Sequence, residues 1–243
     1  MSRRALKNVF ITTITVVLAA AAFWLREEEH RIHGAFPPPS RSGFPDASRT
    51  SRPSRTSGTP GSPMPSATWV ELTQPSLVRN PANDGDSFLI QHTGGQHLLR
   101  LYGVDCPEKK SHALNRTRLA DQGAAFGGLT EAETVRLGIR ARQFTLNLLE
   151  ERPFRVHTVW EQVCDERRHY AHLAIRQPDG SERWLSELLV EAGLARLHTK
   201  GAPLPDGTLR ADFTRHLQAV EKSARLSGRG GWDQQAARQR SDD

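Results

Sequence analysis

From His33 to Ala67 the chain is built of Pro, Ser, Arg, Gly and Thr, with almost no aliphatic residues. Such a stretch cannot bury enough apolar surface to offset the entropy of ordering it, so it reads as a disordered tether. It divides the 243 residues into unequal parts and leaves residues 68–234 as the one stretch able to build a core of its own. The modest hydrophobic fraction of 37% and the mean hydropathy of -0.56 follow from averaging that domain with its appendages. Residues 235–243 form a polar tail.

Residues 1–32 have a different logic. Arg3, Arg4 and Lys7 precede an uncharged apolar run from Val9 to Leu25, and Glu27, Glu28 and Glu29 follow it. This is the pattern of a signal peptide or a signal-anchor helix. The run is at the short end of what crosses a hydrocarbon core of about 30 Å, and Ala19 to Ala22 offers the small residues that signal peptidase accepts. Cleavage and retention both stay open. The basic flank comes first, so the amino terminus is expected in the cytoplasm and everything after Arg26 outside it, secreted, periplasmic or tied to the membrane by an uncleaved helix.

Within the domain, alternation over Ser87–Gln91 and His97–Tyr102, split by Thr93, Gly94 and Gly95, predicts a β-hairpin. Phe154–Trp160 and Tyr170–Arg176 are further strand candidates. Thr130 and Glu133 make a capping box ahead of a helix that runs to Leu149. Ser186–Ala192 reads as a short helix closing on Gly193. From Arg210 to Leu226 a last helix places Phe213, Leu217, Val220 and Ala224 on one face and stops at Gly228. The order predicts a β-rich α+β domain, a small barrel with helices packed on it. Lys109, Lys110 and His112 open an insertion up to Thr130 that could line a substrate groove but by default reads as a solvated loop.

A formal net charge of +6 and a pI near 9.9 favour polyanionic partners, because Lys and Arg contacts to phosphate release condensed counterions. Cys106 and Cys164 are the two cysteines, too few for a disulfide framework. One bridge or two free thiols are both compatible with the spacing.

Two acidic turns frame the hairpin: Asp84-Gly85-Asp86-Ser87 before its first strand and Val104-Asp105-Cys106-Pro107-Glu108 after its second. Carboxylates at both ends of one hairpin can meet, and hard divalent cations such as Ca²⁺ take several oxygen ligands. Asp and Gly are also ordinary turn formers. Arg100 stands in the strand that leads into Asp105, where a guanidinium could grip a phosphate bidentately or simply lie on a strand surface.

Taken together, the strings DGDSF and RLYGVDCPE closely resemble the signature of staphylococcal nuclease-like (thermonuclease) proteins. The similarity continues through Gly138–Leu149, through Leu188–Ala195, and into His216, Leu217, Glu221, Ala224 and Trp232. It covers about Val78 to Trp232. The resemblance implies an OB-fold five-stranded barrel with about three packed helices, acting as a monomeric Ca²⁺-dependent endonuclease on single-stranded DNA or RNA and leaving 3′-phosphate ends. It implies Asp86 and Asp105 as Ca²⁺ carboxylates, with Cys106 lending its main-chain carbonyl rather than its soft sulfur. Asp84 falls on a supporting acidic position, Arg100 on a phosphate arginine, and Glu108 on the glutamate that orients or deprotonates the attacking water.

The chain departs from this pattern at one place. The family commonly has a Tyr-Gly-Arg turn, whose arginine is a second phosphate clamp, two residues before a Leu-Ala pair. Here that pair is Leu173-Ala174, and Ala171 holds the arginine's position. Arg168 is the expected substitute, ahead of Arg167 and His172, and His169 or His172 is a possible proton donor. The base-stacking aromatics after Gly-Leu-Ala are missing too, which leaves Tyr170 and His198 as stacking candidates. The competing reading is a non-catalytic OB-type module that binds nucleic acid or protein.

Overall fold

The computed structural model describes residues 68–163 and 167–233. The apolar N-terminal run, the tether, Cys164 and the C-terminal tail lie outside the described residues.

The described chain is a mixed α+β fold, a curled half-barrel sheet with four helices. In chain order it runs β1 (Val70–Glu71), β2 (Ser76–Leu77), β3 (Ser87–His92), β4 (Gly95–Leu101), β5 (Val104–Asp105), α1 (Arg116–Ala125) and α2 (Glu131–Glu151). Then come β6 (Phe154–Gln162), β7 (Arg168–Arg176), β8 (Glu182–Trp184), α3 (Leu185–Glu191), β9 (Arg196–Leu197) and α4 (Arg210–Leu226). The main sheet has the order β1-β6-β7-β4-β3-β2, with β8 on β7, while β5 and β9 pair separately. The β4–β7 pairing is parallel and the others are antiparallel.

The predicted hairpin forms as β3 and β4, with Ser87 opposite Arg100 and Ile90 opposite His97. Its alternation turns Phe88, Ile90, Leu99 and Leu101 into the core, where Val156, Leu173 and Ile175 from β6 and β7 meet them. Leu137, Ala141 and Leu149 of α2, Leu185 and Leu189 of α3, and Phe213 and Leu217 of α4 close over the same cluster. Each fully buried Leu, Ile or Phe contributes about 1.5–3 kcal/mol. The opposite face carries Ser87, Arg100 and Tyr170 in one row, because Arg100 is the register partner of both neighbours.

The capping box is present: Thr130 N–H donates to Glu133 Oε2 at 2.8 Å, and Glu133 N–H to Thr130 Oγ1 at 3.3 Å. Helix α4 has the predicted bounds. One expectation needs correction. Among the described residues there are four helices rather than about three, because α1 occupies the segment read as a solvated loop. His172, a possible proton donor, is packed among aromatic rings with 2% of the residue accessible.

Two glycines set the frame of the acidic turns. A Cβ on Gly85 would fall 2.7 Å from Cys106 Sγ and 2.8 Å from the Ala141 Cβ, so the two turns and α2 touch only because position 85 has no side chain. A Cβ on Gly138 would fall 2.4 Å from the Pro107 carbonyl oxygen and 2.5 Å from that of Glu108. Helix α2 therefore rests directly on the main chain that carries Glu108.

Candidate active site

Folding the hairpin brings its two ends together around Arg100. The guanidinium Nη2 is 2.8 Å from Asp105 Oδ1 and 3.3 Å from Asp86 Oδ2. All three residues are buried, with 5% or less of each accessible. Asp86 Oδ2 also accepts the Cys106 N–H at 2.8 Å, and Asp86 Oδ1 accepts the Ser87 hydroxyl at 3.1 Å. The first acidic turn is thus fastened to the second by main chain as well as by charge.

Asp105 is the hub. Its Oδ1 accepts from Arg100 and from Arg118 Nη2, each at 2.8 Å. Its Oδ2 accepts from Gln122 Nε2 and from Arg196 Nε, each at 3.0 Å. Burial works against a charge here, but the Gln122 amide and the guanidiniums of Arg118, Arg100 and Arg196 overcome it and hold the carboxyl below its usual range. Burial likewise opposes the Arg100 charge, and Asp86 and Asp105 outweigh it, so that its pKa is raised.

Glu108 sits at the rim with a quarter of its side chain accessible, and its Oε1 is 3.0 Å from Arg118 Nε. Its main-chain N–H donates to Gln122 Oε1 at 3.0 Å. Asp84 lies behind, with Oδ2 3.6 Å from Lys109 Nζ and Oδ1 buried without a partner. Burial first, then Asp86 and Glu108 nearby, push its carboxyl up to about 6 against the pull of Lys109. The Cys106 thiol is buried and its pKa is raised well above the ordinary value by burial and the surrounding aspartates.

Asp84, Asp86, Arg100, Asp105, Cys106 and Glu108 are in or against this cluster. Arg168 Nη1 is 3.0 Å from Ser87 Oγ, one hydroxyl removed from Asp86. Ala171, at the position of the missing arginine, is fully buried in the core and could not present a longer side chain to the cluster. Tyr170 is already stacked on Tyr102, with ring centroids 4.7 Å apart, and only 8% of it is accessible. A pocket of about 220 Å³ is lined by Tyr102, His172, His198, Thr199 and Phe213, among others.

Sequence reading missed Arg118, Gln122 and Arg196. Arg196 carries a late signal, because it directly follows the Gly-Leu-Ala segment and becomes the register partner of Asp105 in the β5–β9 pair. Arg118 and Gln122 lie one turn apart on α1.

Does this donor set suit a hard cation? Among the described residues no group of three or more His, Cys, Asp or Glu side chains is placed to hold a metal. A cation would rest on Asp86, Asp105, the Cys106 carbonyl and water. The two carboxylates both approach Arg100 Nη2, at 3.3 and 2.8 Å. The Cys106 carbonyl accepts Gln122 Nε2 at 3.1 Å, which leaves its second lone pair. Behind them Asp84 pairs its Oδ2 with Lys109 and keeps Oδ1 buried without a partner. These oxygens are of the hard kind that Ca²⁺ takes, and water would have to complete the shell. No protein-family model matches the chain, and no curated protein matches its sequence.

Proposed function

We propose that the chain is a Ca²⁺-dependent nuclease that hydrolyses phosphodiesters of DNA or RNA from an OB-type barrel. The observation that carries this reading is the gathering of Asp86 and Asp105 on Arg100, with Glu108 joined to Asp105 through Arg118, four residues in the spacing of the thermonuclease signature. When bound by Asp86, Asp105 and the Cys106 carbonyl, the cation would polarise a phosphate oxygen.

The side chains supply the rest. Arg100, held in place by two carboxylates, is the strand guanidinium set to stabilise charge gathering on phosphorus. Glu108 has an accessible carboxylate to take a proton as water attacks. The P–O5′ bond breaks, the leaving oxygen takes up a proton from solvent, and a 3′-phosphate end remains. The N-terminal pattern and the positive charge fit an extracytoplasmic enzyme, anchored or released, that meets single-stranded substrate as a monomer. No described helix is long and apolar enough to cross a membrane.

Ala171, buried where the family's second arginine stands, favours a second reading: an OB-type module that binds nucleic acid or protein without cleaving it. One assay separates the two. The full chain is incubated with labelled single-stranded DNA and with RNA, in Ca²⁺ and in chelator. Cleavage that needs Ca²⁺ and falls about 10²–10⁴-fold in Glu108→Gln is the expected result. Cleavage that survives chelation removes the metal mechanism, and binding without cleavage under any cation leaves the module.

A further inference from the structure

Resting on the nuclease reading, we infer that Arg118 is a catalytic residue: the guanidinium that grips the scissile phosphate beside Glu108, supplied by the insertion helix where the strand arginine is missing. Helix α1 delivers two side chains to the loop from Asp105 to Glu108, and they differ in kind. Gln122 is wholly buried and ties Asp105, the Cys106 carbonyl and the Glu108 N–H into one unit. Arg118 touches Asp105 Oδ1 and Glu108 Oε1 at 2.8 and 3.0 Å, yet 43% of its side chain is accessible. The corresponding values are 6% for Arg100 and 13% for Arg196.

That contrast selects Arg118. Arg100 is enclosed by Asp86 and Asp105, and Arg196 spends Nε on Asp105 and Nη1 on the Asp121 carbonyl. A phosphate arriving from solvent meets Arg118 first. Only two of its five N–H donors are engaged by the carboxylates, which leaves donors for phosphate oxygens. Its contact with Glu108 puts the same guanidinium next to the carboxylate that receives the water proton, so gripping and proton acceptance fall at one phosphorus. Arg168 reaches the cluster through the Ser87 hydroxyl.

The test compares Arg118→Ala, Arg118→Lys, Arg168→Ala and Arg116→Ala in the full chain. Arg116 is an exposed arginine of the same helix and controls for the loss of charge alone. Arg118→Ala should lower kcat/KM about 10²–10³-fold, with Lys restoring little because an ammonium cannot replace the fork. Binding of an oligothymidylate in chelator is measured in parallel by anisotropy against salt. Arg118→Ala should lower the slope of log Kd against log salt by about 0.7, one phosphate contact on a single strand. Cleavage and slope no different from Arg116→Ala overturn the inference, as does a larger loss in Arg168→Ala. Should the full chain cleave nothing, the nuclease reading fails alone: a lowered slope still supports Arg118 as a phosphate contact, and an unchanged slope removes it. An unchanged melting profile for Arg118→Lys separates these results from unfolding.

Discussion

Arg100 and Tyr170 are register partners on the same face of the sheet, yet the regions on either side of them treat buried polarity in opposite ways. Around Arg100, carboxylates and guanidiniums are buried together and stay charged because each has several partners. Around Tyr170, the rings of Tyr102, His172 and Trp69 pack at centroid distances of 4.7–6.1 Å, and the polar atoms among them are kept neutral. The His172 Nε2 is buried without a partner, and burial, more than any neighbour, lowers its pKa to about 4. Tyr102 is pushed up by burial and by its hydrogen bond to Glu161. A buried group keeps its charge when partners repay desolvation and gives it up when they do not. Under the proposed function the charged region is the one that would meet a polyanion, with the neutral one packed beside it.

The sharpest way to break this contrast is to remove its pivot. Arg100→Ala leaves Asp86 and Asp105 buried with a partner lost, which should cost about 3–5 kcal/mol in urea unfolding at neutral pH. Turnover should fall by orders of magnitude while the barrel still folds. Stability equal to the wild type would mean that Arg118 and Arg196 suffice for Asp105 and that Asp86 needs no guanidinium.

Acid should attack the neutral side. The unfolded imidazole of His172 takes a proton near 6.5, but the folded one only near 4, so its contribution is whole above pH 6.5 and is lost as pH falls toward 4. The loss amounts to about 3 kcal/mol, and His157 and His97, both lowered first by burial, add in the same direction. Unfolding free energies measured from pH 7 to pH 4 should flatten in His172→Phe. An unchanged slope in that variant would place the acid response elsewhere.

The smallest effect is expected at Cys106. Its sulfur lies in the core against Gly85, and only its main chain faces the cluster. Cys106→Thr, similar in volume, should change stability by less than about 1.5 kcal/mol and leave cleavage and its Ca²⁺ dependence intact. Loss of Ca²⁺ dependence in that variant would give the side chain a role denied to it here.

How much of this was readable in advance depends on what each element buries. The hairpin, α2 and α4 bury aliphatic stripes, and alternation or a 3.6-residue period exposes such stripes in the sequence. The acidic turns were readable because a hairpin must bring its two ends together. Helix α1 was not, since its buried positions are Leu119, Gln122 and Gly123, and that inner face is aimed at a carboxylate and main-chain groups rather than at an apolar core. Hydrophobic periodicity has nothing to detect there. Arg118 was hidden with it, and Arg196 because the two-residue strand β9 has too little length to show a pattern. The strands of two or three residues that complete the sheet are unreadable for the same reason.

The pairing of Asp105 with Arg196 spans 91 positions of chain. Both acidic turns, Arg100, Arg118 and Gln122 precede Arg196 in the chain, so the counterion that completes the centre is the last of its parts to be made. A nascent chain halted anywhere between 125 and 195 would carry both acidic turns and Arg100 without the final arginine. Maturation of the centre is thereby tied to near-completion of the domain, a timing written into the topology rather than into any separate control.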